Sequence, residues 1–208
     1  DYATTATIKA GTGFIIQANK ECTITFTAIN NTSKQNVVSN KAFTKTLSAN
    51  SSAQTADKGW NLVGNPWLCY YNIHKLNFTA PITVYDGYQR KYTAYSVIDD
   101  DYAIRPNEAF FVQCPDAVSS ISFPVDGRQL TATIESLNGV KAEVPQTQTR
   151  WLVDVELSNG ELTDKTRFVL NAEADFGYEM NRDASKFFES STACPQLYPL
   201  EDDEPLAI

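Results

Sequence analysis

Hydrophobic and polar residues alternate along much of the chain with a period of two, which is typical of β-strands that have one buried face. The pattern is clearest beyond residue 127, in the segments 130–134, 151–157 and 168–170. Asn138-Gly139 and Asn159-Gly160 supply turn signals between these segments. We therefore expect residues 128–208 to form a β-sandwich-like unit, in which only residues 182–189 are predicted to be helical.

A second pattern is an internal repeat, in which residues 6–17 match residues 102–113. In each copy a basic residue and a turn precede a strand, and we expect one face of that strand to line the core. The residues of that face are Phe14, Ile16 and Ala18 in the first copy and Phe110, Val112 and Cys114 in the second. After a one-residue slip the next strand also matches. The repeat thus predicts a β-rich region of two related strand units over residues 1–127.

The composition favours strands and turns over helices, because Thr, Ser, Asn, Val and Tyr are abundant. Together with the alternation it predicts an all-β fold, made of antiparallel β-sandwich units with an internal repeat of strands. The first copy lacks the segment that precedes the second copy. We therefore expect the sequence to be an excerpt of a longer polypeptide, whose neighbouring domains are partners of this region.

The charge of the chain excludes several classes of partner. Lys and Arg total 17 against 25 Asp and Glu, which gives a formal net charge of -8. Such a field repels phosphate backbones, so we expect no nucleic acid partner. No apolar run reaches the roughly 20 residues of a membrane helix, so we expect no membrane insertion.

The four cysteines are spaced too widely for a zinc site or a dense disulfide scaffold. Cys22 and Cys114 share a strand phase with apolar neighbours, and we expect both to be buried, reduced thiols. The sequence leaves open whether Cys69 and Cys194 are bridged.

Residues 59–66, Gly-Trp-Asn-Leu-Val-Gly-Asn-Pro, are followed by a Tyr-rich hairpin and by Ile-Arg-Pro-Asn-Glu-Ala-Phe-Phe-Val at residues 104–112. Thr-Arg-Phe-Val-Leu at 166–170 and Asp-Ala-Ser-Lys at 183–186 come later. This order resembles β-rich regions of large secreted or surface proteins of gut and oral anaerobic bacteria. The resemblance implies an extracellular or cell-surface location, and it implies no activity.

The sequence contains no recognisable catalytic apparatus. His74 is the only histidine, and neither a Gly-x-Ser-x-Gly elbow nor a Walker-type loop occurs. Gly11-Thr12-Gly13 precedes a strand and is predicted to be a turn. The chain is therefore predicted to be a non-catalytic module for adhesion or assembly that binds an extracellular protein or glycan. The alternatives are a carbohydrate-binding module and a part of a glycan-active enzyme that uses two distant carboxylates.

Three groups of residues are candidate sites. Tyr88, Arg90 and Tyr92 follow the Asp86-Gly87 turn of the hairpin and could stack on a sugar or fill an interface. Carboxylates at Asp99, Asp100 and Asp101, and separately at Asp175, Glu179 and Asp183, are candidate calcium ligands. No other cofactor is predicted. Trp60 is predicted to be a core residue.

Overall fold

The computed structural model describes residues 8–25, 40–49, 55–114, 120–134, 150–172, 174–188 and 194–208. Within these ranges all paired strands are antiparallel, and the helices are three short 3-10 turns at Thr55–Asp57, Ile73–Lys75 and Val125–Gly127. The all-β prediction is confirmed. The predicted helix at residues 182–189 is wrong over its described part, because residues 182–188 form a turn and an extended segment bridged to Leu206.

A four-stranded sheet forms the centre of the fold, in the spatial order β2-β7-β4-β5. Its strands are β2 (Trp60–Gly64), β4 (Ile82–Asp86), β5 (Lys91–Tyr95) and β7 (Ala109–Gln113). Phe110 lies opposite Val63 on one side and Val84 on the other, so all three side chains share one face. The predicted hairpin is confirmed as β4 and β5, but its turn spans residues 87–90, because Asp86 still pairs with Lys91.

Two smaller sheets pack against that face and close the core. One pairs β1 (Phe43–Thr46) with β8 (Ser120–Phe123), and the other places β3 (Tyr70–Asn72) between β6 (Ala103–Ile104) and β9 (Arg128–Gln129). The largest fully buried side chains come from all three sheets and include Tyr71, Phe110, Phe123, Ile82 and Ile104. The Tyr71 and Phe123 rings meet edge to face, with centroids 5.1 Å apart.

The rest of the described chain forms two hairpins. β10 (Trp151–Ser158) pairs with β11 (Thr163–Leu170), and β12 (Leu200–Glu201) pairs with β13 (Glu204–Pro205). All eight residues of β10 are exposed. The sandwich predicted for residues 128–208 is not confirmed, since no second sheet covers this hairpin in the part of the chain that the structure describes.

The two copies of the sequence repeat have different environments. Phe110 and Val112 are 0% exposed in β7, whereas Phe14 and Ile16 are 40% and 49% exposed and lie outside any strand. The expectation that both copies line the core is therefore wrong for the first copy. β7 gains its burial from β2 and β4 on its two sides.

The turn of the first copy is bonded to the central sheet. The amide of Gly13 donates to the carbonyl of Leu62 at 3.2 Å, and the amide of Gly64 donates to the carbonyl of Gly11 at 3.0 Å. The predicted turn at Gly11-Thr12-Gly13 is confirmed, with Thr12 N donating to Lys9 O. Phe26, which extends the repeat into its next strand, lies outside the described residues.

None of the four cysteines forms a disulfide, so Cys69 and Cys194 are not bridged. The prediction of a buried thiol is confirmed for Cys114, which belongs to the core cluster. It is wrong for Cys22, which is exposed because the first copy of the repeat lies outside the core.

Candidate functional site

The hairpin of β10 and β11 has an apolar face that is exposed to solvent. Because opposite residues of an antiparallel pair share a face, Trp151 lies beside Leu170 and Val153 beside Phe168. We call the whole set the hairpin face: Trp151, Val153, Val155, Leu157, Phe168 and Leu170. Its six side chains are between 39% and 64% exposed.

The opposite face of the same hairpin is mostly polar, and half of its residues are charged. Asp154 pairs with Arg167 across the strands, and Glu156 lies opposite Lys165. Arg167 also reaches Asp100 at 3.0 Å. Its hydrogen bond to Asp154 raises the pKa of the guanidinium and lowers the pKa of the Asp154 carboxyl. The hairpin is thus amphipathic, with a mostly polar side and an apolar side that is exposed except at Asp164 and Thr166.

β11 attaches the hairpin to the rest of the protein. Both oxygens of Asp164 accept from the buried Nζ of Lys186, at 2.5 and 2.7 Å, and one of them also accepts from the amide of Leu197. Arg167 N donates to the carbonyl of Ala207 at 3.1 Å. Lys91 Nζ donates to Thr163 O at 3.2 Å. These bonds hold β11 in place, so the hairpin face has a fixed orientation.

A groove continues the hairpin face at the Trp151 end. It encloses about 370 Å³ and is lined by Trp151, Val169, Leu170, Ala172, Ala174 and Phe176, among others. Phe176 is fully exposed. The apolar surface therefore extends beyond the two strands and has a concave part.

The three hairpin-tip residues that the sequence singles out do not form one stacking platform. Tyr88 stands at the tip with 96% of its surface exposed, and Arg90 has a left-handed backbone with φ of 52°. The Asp86 carboxylate fixes the turn by accepting from the amides of Tyr88 and Gln89 at 2.9 and 3.0 Å. Tyr92 lies further along β5, where its ring packs against other aromatic rings of the sheet.

Those rings form a cluster on the face of the central sheet that points away from the core. The members are Trp60, Tyr85, Tyr92, Phe111 and Phe187. The Phe187 ring centroid lies 4.7 Å from that of Trp60, 5.0 Å from that of Phe111 and 5.4 Å from that of Tyr92. Trp60 is half-buried and donates through Nε1 to Ala56 O. Phe187 therefore covers this face, a role that its non-periodic segment did not reveal in the sequence.

The carboxylates of Asp99, Asp100 and Asp101 point to different partners. Asp99 pairs with Arg150 at 3.0 Å, Asp100 with Arg167, and Asp101 with Nε2 of His74 at 3.1 Å. Among the residues that the structure describes, no three acidic, histidine or cysteine side chains are grouped to hold a metal ion. Calcium binding by these three aspartates stays a prediction, and their separate ion pairs do not support it.

The second candidate calcium group is also occupied by contacts within the protein. Asp183 accepts from the amide of Glu179 at 2.6 Å, and Glu179 pairs with Arg182 at 3.1 Å. Burial, together with the neighbouring Glu201 and Glu179, raises the pKa of the Asp183 carboxyl to about 6, although the hydrogen bond from the Glu179 amide and the charge of Arg182 act to lower it. Asp175 is exposed. Glu179, Arg182 and Asp183 thus form a local turn, and the three carboxylates do not form a shared ligand set.

One cavity bears on the enzyme alternative. It lies between β5 and β11, encloses about 330 Å³, and is lined by Glu156, Asp164, Lys186 and Tyr92 among others. The oxygens of Asp164 are committed to Lys186 and to the Leu197 amide. Among the described residues that line the cavity, Glu156 is thus the carboxylate side chain outside a buried ion pair, and glycoside hydrolysis typically uses two carboxylates.

No helix in the described ranges is long and apolar enough to span a membrane.

Comparison with known proteins gives this chain no relative from which a function could be inferred. The chain matches no family model, no curated protein and no solved structure.

Proposed function

We propose that this chain is a non-catalytic module of a secreted or surface protein of bacteria, and that it serves assembly or adhesion through the hairpin face. The exposed apolar face of β10 and β11 carries this proposal. At about 200 Å² for a large apolar side chain, the exposed fractions of its six residues amount to about 600 Å². The largest apolar patch of a monomeric protein is about 300 to 600 Å² and is often functional.

The motif at residues 59–66 supports a scaffolding role for the remainder of the region. Asn65 donates through Nδ2 to the carbonyls of Cys69 and Arg105, at 2.9 and 3.0 Å, and its Oδ1 accepts from the amide of Trp67. The bonds with Cys69 and Trp67 hold the loop between β2 and β3 in shape, and the bond to Arg105 ties it to the loop between β6 and β7. The motif thus connects two loops beside the central sheet. The extracellular location rests on the sequence resemblance.

A carbohydrate-binding module is the second candidate, and one observation favours it. Tyr88 is an almost fully exposed aromatic ring on a turn that hydrogen bonds hold rigid, which suits stacking on a sugar. A single ring gives a small contact, however, since Tyr92 lies in the ring cluster of the sheet. The hairpin face offers several times more apolar surface.

A binding experiment with three variants tests the proposal. Labelled protein is titrated onto cell envelopes of a gut or oral anaerobe and onto a glycan array. We expect saturable envelope binding that Val153→Asp abolishes and that Leu152→Asp and Tyr88→Ala leave unchanged. Leu152 is a matched control because it is 43% exposed on the opposite face, next to Val153 at 45%. Glycan binding that Tyr88→Ala abolishes would instead establish the carbohydrate-binding alternative.

A further inference from the structure

We propose that the partner of the hairpin face is a second copy of this chain, which packs the same face against it and forms a two-layer β-sandwich between the copies. This inference rests on the proposed function, because it names the partner of the same surface. It also accounts for the strand pattern of residues 128–208. That pattern is typical of a sandwich, yet the described chain supplies only one of its two layers.

The buried area is sufficient for such a dimer. If each copy contributes about 600 Å², the interface buries about 1,200 Å² in total, which is the lower limit of specific and stable interfaces. The groove beside Trp151 and the exposed ring of Phe176 add apolar surface at the end of the face. An interface of this area lies at the small end of the specific interfaces, and its affinity depends on packing rather than on area.

The shape of the face suits a two-fold arrangement. The bulkiest pair, Trp151 and Leu170, lies at one end of the hairpin, and the smaller Val153 and Val155 lie nearer its middle. The Leu157 end of the face is partly covered by the protein itself, because Asp164 and Thr166 of the same face are buried there. A two-fold axis near Val153 therefore packs the open Trp151 half of one copy against the same half of the other, at the roughly 10 Å spacing of stacked sheets.

The charge distribution distinguishes a second copy from other partners. The one ionised group in register with the face, Asp164, is neutralised by Lys186 in a buried pair. Packing two faces together therefore buries no uncompensated charge. The remaining surface carries most of the net charge of -8, so two copies repel each other at a distance. Salt screens this repulsion and should strengthen the dimer, whereas salt should weaken binding of a cationic partner.

Sedimentation velocity of the 208-residue protein, over a concentration series at low and high salt, tests this proposal. We expect a concentration-dependent monomer–dimer equilibrium that shifts toward dimer as salt rises. Val153→Asp and Phe168→Ser should each weaken dimerisation at least tenfold, whereas Leu152→Asp should leave it within twofold. Because both face residues are about half exposed, the variants should fold, and circular dichroism checks this.

Trp151 provides a second readout. Dimerisation should protect its indole from acrylamide and shift its emission to the blue with rising concentration, and Trp151→Phe should remove that change while Trp60 and Trp67 remain. A monomer at every concentration, or a dimer that Val153→Asp does not weaken, would overturn the proposal. Envelope binding that Val153→Asp abolishes in a monomeric protein would overturn self-association alone. A Val153-dependent dimer without envelope binding would support self-association and contradict an adhesive role.

Discussion

Lys186 and Asp164 form a buried ion pair that connects the C-terminal segment to β11, with Nζ at 2.5 and 2.7 Å from the two carboxylate oxygens. The amide of Leu197 donates to the same carboxylate at 2.7 Å. The Asp164 carboxylate thus connects β11 to two other segments, at Lys186 and at Leu197, which lie more than 20 residues away in the chain. Phe187, the neighbour of Lys186, reaches from the same segment to the ring cluster of the central sheet.

Removal of one partner of this pair should destabilise the protein strongly. Lys186→Met leaves the Asp164 carboxylate buried without its counter-ion, and such losses cost about 3 to 5 kcal/mol. The measurement is the free energy of unfolding from urea titration, followed by Trp fluorescence. Arg105→Gln is the control, because its pair with Glu108 is long, at 4.0 Å, and mostly exposed on the arginine side. We expect about 0.5 kcal/mol or less from the control, and an equal effect of both variants would refute the role given to the buried pair.

The sequence predicted the parts of the fold whose pattern is local. The Asp86-Gly87 turn between two alternating segments gave the β4–β5 hairpin, because both its signals lie within a few residues. Phe110, Val112 and Cys114 were correctly assigned to the core. The same pattern failed at Phe14 and Ile16, because alternation shows which face of a strand is apolar but not whether other strands flank it.

The candidate site shows the same limit. Alternation in residues 151–157 predicted the strand and its apolar face, but not that this face is exposed in the described structure. Phe187 has no periodic neighbours, so its place over the central sheet depends on long-range packing that a single sequence does not contain. The aspartates at 99–101 looked like a ligand set because they are consecutive, yet their partners come from different parts of the chain.

A side chain at residue 127 should destabilise the protein, because a Cβ at this position would overlap Cζ of the fully buried Tyr71 ring. The Tyr71 ring cannot easily move away, because its hydroxyl donates to Pro124 O at 3.0 Å. Gly127→Ala should therefore lower the free energy of unfolding by about 1 to 3 kcal/mol. Gly87→Ala is the matched control, because its Cβ would meet only an ordinary contact at 3.8 Å. Similar stability of the two variants in urea titrations would contradict this packing.

Asp183 should make the protein less stable as pH rises from about 4 to about 6. Its pKa is about 6 in the folded protein and about 3.9 in the unfolded chain. The folded state therefore binds more protons over this interval, and the free energy of unfolding falls as the carboxyl ionises. Because the group is partly solvated, we expect a loss of about 1 to 2 kcal/mol rather than the full effect of the shift.

Asp183→Asn isolates this contribution, since an amide oxygen can still accept from the Glu179 amide while carrying no charge. The variant should be more stable than the parent protein at pH 7 and about as stable at pH 4. The difference between the two urea-unfolding profiles across pH 4 to 7 measures the contribution of Asp183 alone. Parallel profiles would show that Asp183 titrates at its ordinary pKa.

The cysteines should react with a thiol reagent in an order set by burial. Cys22 is exposed and should be modified at once in the folded protein, whereas Cys114 and Cys194 are buried and should react only after unfolding. Cys69 is half-buried, and burial raises the pKa of its thiol, so it should react slowly. Titration with an aromatic disulfide reagent, with and without denaturant, resolves these classes, and Cys22→Ser should remove the fast phase alone. If Cys22 were protected in the folded protein, the first copy of the repeat would have to be packed against other chain segments, as Phe110 and Val112 are in the second copy.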